Sequence, residues 1–313
     1  MSTKIAFLFP GQGSQSVGMG RDLAEHFPIA AQTFAEADEA LGFPLSNLIF
    51  EGPESDLRLT ENTQPAILTV SVAAWRVLAE HGVEPALAAG HSLGEWSAHV
   101  AAGTFAFADA ARAVKARGRA MQLAVPPGEG AMAAVLSLSP ELVAEACREA
   151  AAETGLPVAA ANMNSPTQTV ISGSLAAVEK ASALAKAKGA RRALMLPVSA
   201  PFHCSLMQPA QEEVARVLAA ITLADPRIPV AANVTGELVT TADAVRDALI
   251  RQVTGAVRWV DCVHALVAAG ANRFIEVGPG KVLCGLLRQI DADQNGLNVE
   301  DQASLEATLA ALA

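Results

Sequence analysis

The chain has 313 residues, of which 51% are apolar, 17% charged and 4% aromatic, with no tyrosine and a formal net charge of −10. Half-apolar composition excludes a disordered chain, and the acidic balance excludes a general nucleic-acid binder, which needs cations to neutralise phosphates. No window approaches the ~20 uninterrupted apolar residues of a membrane span, and the length suits one large domain or two modest ones.

Ile5 to Phe9 is a compact apolar run stopped by Pro10-Gly11, which predicts a buried central strand rather than a signal peptide. Residues 18–40 have helical periodicity interrupted near Pro28, and 64–81 form a second helix stopped by Gly82. The run from Pro85 to Gly90 is short and apolar. Helices follow over 93–102, ending at Gly103, and over 107–124, ending at Val125-Pro126-Pro127. From Gly128 to about Ser199 the pattern changes. Strands are expected near 131–138, 157–161, 167–172 and 192–198, with helices near 140–154 and 174–188, the order of a ferredoxin-like unit. After it come a strand near 228–234, a helix over 243–270 broken around Thr254-Gly255, a strand at 273–277, and a helix opened by GPGKVLCGLL. The fold expected is α/β. A discontinuous parallel-sheet domain (residues 1–127 plus 199–313) carries an inserted α+β subdomain (128–198).

Cys147, Cys204, Cys262 and Cys284 stand 57, 58 and 22 residues apart, a spacing that suits neither zinc nor a disulfide framework. A reduced, cytoplasmic protein is expected. Three motifs mislead. GQGSQSVGMG misplaces the third glycine of a dinucleotide fingerprint. Gly-Pro-Gly-Lys281 lacks the hydroxyl residue of a phosphate loop. The stretch from Asp291 to Gln302 begins like a calcium loop but lacks its final Glu, and reads as a polar surface loop. Cys204, beside His203, reads as a small buried hydrophobe.

Gly90-His91-Ser92-Leu93-Gly94 lies between a predicted strand and a predicted helix, the setting of a nucleophile elbow. Such a turn presents the hydroxyl of Ser92 at a helix N-terminus, where partial positive charge favours an oxyanion. The plainer alternative is a helix N-cap. A serine nucleophile needs a base. His91 is expected to point away from Ser92, and His99 lies too far along the following helix. His26, His81 and His264 sit on amphipathic helices or at their ends. His203 is the favoured base, because it sits in an irregular stretch where the inserted subdomain returns, and domain junctions form clefts. No carboxylate presents itself as a third member, and a backbone carbonyl could orient the imidazole instead. Arg117, one of four basic residues between 112 and 119, is either part of a solvated face or a buried grip for a carboxylate.

Several motifs occur together in one order: FPGQGSQ (9–15), TQPAI (63–67), GHSLGE (90–95), RGxxMQ (117–122), NSP (164–166), Phe202-His203 and EVGPGKVL (276–283). Through them the chain resembles, over essentially its whole length, the malonyl-CoA:acyl carrier protein transacylases of fatty-acid synthesis. The resemblance implies a hydrolase-like large domain with a ferredoxin-like insert. It implies Ser92 as nucleophile, His203 as general base and acid, and the backbone N–H groups of Gln12 and Leu93 as oxyanion hole. It implies Arg117 as the site of the malonyl carboxylate and the backbone carbonyl of Gln252 as the group orienting His203. Gln64 and Asn162 match supporting polar positions, and Phe202 goes with malonyl rather than methylmalonyl. Trp96 and His99 stand where relatives often have Tyr and Leu. Malonyl-CoA and acyl carrier protein are the implied partners, both as substrates, with no cofactor, no nucleic acid, no membrane and a monomeric enzyme. The rival readings are a serine esterase or thioesterase, an acyltransferase serving polyketide synthesis, and a docking module with a dead site.

Charge is uneven. Residues 1–100 carry a net −8, residues 101–200 a net +3 and residues 201–313 a net −5. Lys180, Lys186, Lys188, Arg191 and Arg192 are therefore expected to border the cleft and steer anionic partners into it.

Overall fold

A computed structural model describes residues 3–198 and 200–313; residues 1–2 and Ser199, the junction position, lie outside the described residues. In chain order the elements are β1 (Ile5–Phe9), α1 (Arg21–His26), α2 (Pro28–Leu41), α3 (Leu45–Glu51), α4 (Glu54–Leu57), α5 (Thr60–Glu80), β2 (Leu87–Gly90), α6 (Leu93–Ala101) and α7 (Phe107–Leu123). There follow β3 (Gly130–Leu136), α8 (Pro140–Thr154), β4 (Val158–Ser165), β5 (Gln168–Ser174), α9 (Leu175–Ala187) and β6 (Arg192–Met195). The chain then forms α10 (Gln208–Ala219), β7 (Val230–Ala231), β8 (Leu238–Val239), α11 (Ala242–Gln252), α12 (Trp259–Ala268), β9 (Arg273–Val277), α13 (Val282–Ile290), β10 (Gly296–Val299) and α14 (Gln302–Leu312).

Two sheets result. The larger runs β10-β9-β1-β2-β7-β8 and is parallel except for the terminal β7–β8 pair. Its central strands are buried on both faces, which is why Ile5–Phe9 and Leu87–Gly90 read as unbroken apolar runs. The smaller sheet, β4-β5-β3-β6, is wholly antiparallel. With α8 and α9 crossing one face it has the ferredoxin-like order, so the fold is a large α/β unit with a small α+β unit. Along β3, Ala131, Ala133 and Val135 pack against α8 and α9, whereas Met132 and Ala134 join the core of the larger unit. Alternation along one strand thus gives the small sheet an outer helical face and an inner face toward the larger sheet. A second link crosses between the units. The irregular stretch after α11 runs beside β4, where Val257 N–H donates to Ala161 O at 2.8 Å and Met163 N–H to Val257 O at 2.9 Å.

Several expectations need correction. The 64–81 helix begins at Thr60. Pro65, inside it, removes one hydrogen bond without ending it, because most of the helix is buried against its neighbours. The expected 192–198 strand stops at Met195, and the expected 228–234 strand forms a ladder only at Val230–Ala231. The polar loop expected over 291–302 instead contains β10, which pairs with β9, and leads into α14. The motif EVGPGKVL has a structural part. The Glu276 carboxylate accepts from the Leu283 and Cys284 N–H groups at 3.0 and 2.8 Å, tying β9 to the start of α13.

The turn between β2 and α6 tolerates no Cβ at its glycines. A Cβ on Gly94 would lie 2.0 Å from Phe9 O, and one on Gly90 would lie 1.9 Å from Gly94 C. Both clashes are with backbone, which cannot swing aside. Gly94→Ala should therefore lower stability by about 1–3 kcal/mol or more through forced backbone movement. Thermal unfolding checks this, and an unchanged midpoint would show that β1 can yield.

Candidate active site

Ser92 occupies the turn between β2 and α6 with φ of +51°. A non-glycine residue there is strained by roughly 1–3 kcal/mol, and the turn is pinned on two sides. Asn233 accepts from the Ser92 N–H at 2.7 Å through Oδ1 and donates from Nδ2 to Gly90 O at 2.8 Å. The hydroxyl is left facing a cleft of about 250 Å³ between the two sheets, lined among others by Gln12, Leu93, Met132, Asn162 and Phe202.

Two groups meet the Ser92 Oγ. His203 Nε2 lies 2.7 Å away, and Arg117 Nη2 donates to it at 3.1 Å. His203, also at positive φ (+60°), is buried in the connection after β6. Its Nδ1–H donates to the backbone oxygen of Gln252 at 2.9 Å, leaving Nε2 free to accept from the serine hydroxyl. Burial and the nearby Arg117 charge push its pKa down to about 3, so the ring is neutral at physiological pH.

Arg117 stands mid-way along α7, where Gly118 lets that helix approach α5; a Cβ on Gly118 would lie 2.6 Å from Thr60 O. The guanidinium is buried, not part of a solvated face. Nη1 donates to Gln64 Oε1 at 2.7 Å and Nη2 to Gln252 Oε1 at 2.9 Å, while Nε has no partner among the described residues. Desolvation lowers its pKa to about 10, which leaves it charged. Asn162 lies at a bulge in β4 after Ala160, and a bulge re-aims a side chain toward the cleft. Gln12 and Leu93 reach the cleft beside Ser92. Leu93 opens α6, so its N–H has no acceptor within the helix.

The eight residues to which the resemblance gives site roles thus come together: seven line the cleft, and Gln252 contacts Ser92, Arg117 and His203. His91 departs from expectation. It lines the cleft, and its Nε2 meets Asn164 Oδ1 at 2.8 Å. Trp96 and His99 are fully buried against Phe105 and stay outside the cleft. Sequence reasoning missed Asn233 and Glu95. Asn233 carries no local signal, since its importance comes from a contact 141 residues distant. Glu95 was legible within GHSLGE, where an acidic residue in a fully buried helix is anomalous.

The chain matches the acyl transferase domain family over residues 6–304. It belongs to that family. Within it, the chain is 50% identical over 308 residues to the malonyl CoA-acyl carrier protein transacylase of Salmonella typhimurium, covering 98% of this chain and 99% of that one. The crystal structure of an acyl carrier protein S-malonyltransferase from Vibrio cholerae superposes with a TM-score of 0.94 at 50% identity, covering 98% of this chain and 100% of the other. A malonyl-transacylase solved in complex with its type II polyketide-synthase acyl-carrier protein gives 0.95 at 47% identity, covering 99% and 100%. As an acyltransferase this chain has no helix long and apolar enough to cross a membrane among the described residues.

Two of the five residues of the basic cluster are engaged with carboxylates on the outer layer. Lys188 pairs with Glu145 and Glu149 at 2.7 and 2.9 Å, and Lys180 pairs with Glu153. Both belong to the outer helical layer, on the face of the small sheet opposite the cleft. Among the described residues that line the cleft, Arg117 is the cation.

Proposed function

We propose that the enzyme moves a malonyl group from malonyl-CoA to the pantetheine thiol of an acyl carrier protein through a malonyl ester of Ser92. His203 Nε2 takes the hydroxyl proton as Ser92 Oγ attacks the thioester carbonyl. The N–H groups of Gln12 and Leu93 receive the developing oxyanion. Collapse breaks the C–S bond, and His203 returns the proton to the departing CoA sulfur. In the second half the carrier thiol gives its proton to His203 and attacks the ester, and Ser92 leaves with that proton.

The observation that carries this reading is the buried Arg117 guanidinium 3.1 Å from the Ser92 hydroxyl. In a malonyl thioester one methylene separates the reacting carbonyl from a free carboxylate. A fixed cation beside the nucleophile suits that spacing and has no use for a neutral acyl group. Phe202, buried at the cleft beside His203, supports malonyl over an α-branched acyl group. The reading includes no resident cofactor, since the donor brings an activated thioester and the carrier brings its own thiol. It includes a monomeric enzyme. It includes a reducing cytoplasm, supported by free Cys147, Cys204, Cys262 and Cys284. The segment 128–198 is proposed as the inserted subdomain that supplies one wall of the cleft.

Intact-mass measurement tests it. After incubation with malonyl-CoA the parent should gain the mass of one malonyl group, and adding holo acyl carrier protein should remove it. Ser92→Ala should gain none. A mass gain that persists in the variant, or release to water at the same rate without carrier, would favour another nucleophile or a thioesterase.

A further inference from the structure

Glu95 lies in the first turn of α6, three residues after Ser92, and is fully buried. Its two oxygens have different surroundings. Oε2 accepts from the Asn233 N–H at 3.0 Å and from Gln252 Nε2 at 2.7 Å. Oε1 has no hydrogen-bond partner among the described residues. Gln252 in turn holds its carboxamide oxygen 2.9 Å from Arg117 Nη2 and its backbone oxygen 2.9 Å from His203 Nδ1. One carboxamide therefore joins a buried anion to a buried cation, and the same residue orients the imidazole.

Few other charges face this carboxyl. Arg117 on α7 is the cation. Cys262 on α12 is a thiol that burial pushes far up. His99 on α6 itself and His203 in the connection are both neutral, each held near a pKa of about 3 by burial. The strands β1, β2 and β7 carry no titratable side chain, and Glu61, Arg76 and Glu80 of α5 lie half-buried or exposed, away from the site.

We propose that Glu95 is a positioning residue which balances Arg117 in the empty enzyme and takes up one proton from solvent, on Oε1, when the substrate carboxylate reaches Arg117. The proposal rests on the reading of Arg117 given above. In the empty site one carboxylate faces one guanidinium. An arriving malonyl group makes two carboxylates share that guanidinium away from water, and like charges in a buried site disfavour double ionisation. The malonyl carboxylate would touch Arg117 directly, whereas Glu95 reaches it only through Gln252, so Glu95 is the one to yield. Burial has already raised its pKa to about 7. Protonating Oε1 converts the carboxylate to the acid and brings the charge of Glu95, Arg117 and malonyl from −1 to zero. Both hydrogen bonds to Oε2 survive, so Gln252 keeps its hold on Arg117 and His203 in either state.

The test is calorimetry of acyl-CoA binding to Ser92→Ala, which cannot be acylated, at about pH 8 in two buffers of different ionisation enthalpy. The difference between buffers counts the protons taken up. Malonyl-CoA should take up a large fraction of one proton. Acetyl-CoA, with the same CoA phosphates and no acyl carboxylate, should take up none. Adding Glu95→Gln should abolish the uptake. In Ser92→Ala alone, malonyl-CoA affinity should weaken by up to about tenfold per pH unit above 7, flattening when Glu95→Gln is added. Equal counts for the two thioesters overturn the proposal without any Glu95 variant, and so does an uptake that survives Glu95→Gln. If Ser92→Ala binds malonyl-CoA no better than acetyl-CoA, the Arg117 reading itself fails, and the proposal fails with it.

Discussion

His203→Ala should slow malonyl loading of Ser92 by about 10²–10⁴-fold, the usual contribution of a positioned general base. The geometry sets where the loss falls. His203 Nε2 touches only the serine hydroxyl at 2.7 Å, and its other nitrogen is spent on Gln252 O. It moves a proton and does not hold the acyl group, so the loss should appear in the loading rate with malonyl-CoA affinity little changed. A pH signature accompanies it. Burial and the Arg117 charge bring the imidazole pKa down to about 3, against an ordinary value of 6.5. A base with a depressed pKa stays unprotonated as pH falls through the ordinary histidine range. Single-turnover loading in the parent should therefore show no decline attributable to this ring between about pH 7 and 5. A titration near 6.5 that disappears in His203→Ala would mean that the ring is far better solvated than its packing implies. Because His203 is buried at positive φ, thermal unfolding of the variant should be measured alongside, to separate lost chemistry from lost fold.

Much of the site could be read from sequence because its parts lie in locally readable settings. A strand that ends in Gly-His-Ser-Leu-Gly and passes into a helix has few other foldings. The apolar runs at Ile5–Phe9 and Leu87–Gly90 mark central strands because both faces are covered. What was missed depended on distance or on weak local signals. The helix α10 buries Ala210, Val214 and Leu218 at a spacing of four and has Pro209 in its first turn, so its pattern was present in the sequence. The start of α14 is capped reciprocally by Asp301 and Ser304, a pairing that differs from the usual Glu or Gln three residues on. The strand β10 has only four residues and takes its identity from β9 beside it. His91 was expected to leave Ser92 on the opposite face, as alternation along a strand requires. The chain has already left the strand at Gly90, so alternation no longer holds, and Asn164 draws the ring into the cleft. Two members of the basic cluster, Lys180 and Lys188, depart from expectation for a related reason. Charge counted along the sequence cannot distinguish a free lysine from one such as Lys188 with two carboxylates against it.

Arg117→Ala should lower kcat/KM for malonyl-CoA by about 10²–10⁴-fold, the loss expected when one partner of a buried, hydrogen-bonded charge pair is removed at roughly 3–5 kcal/mol. Acetyl-CoA, with no carboxylate to place, should lose far less. A second effect acts in the same direction. The Arg117 charge helps hold the His203 pKa down, and so weakens the base. When malonyl binds, its carboxylate offsets that charge and the base regains strength; acetyl brings no such relief. Removing the guanidinium frees His203 of the penalty for every acyl group, so acetyl loading should rise relative to malonyl. Arg117→Lys should recover only part of the malonyl rate. An ammonium is a point charge and cannot keep the separate hydrogen bonds to Gln64 and Gln252 that fix the guanidinium plane. The two thioesters should be compared in one competition assay, so that any general loss of folded enzyme cancels. An unchanged malonyl-to-acetyl ratio in Arg117→Ala would place the carboxylate elsewhere in the cleft and leave the buried guanidinium as a structural ion held by Gln64, Gln252 and the more distant charge of Glu95.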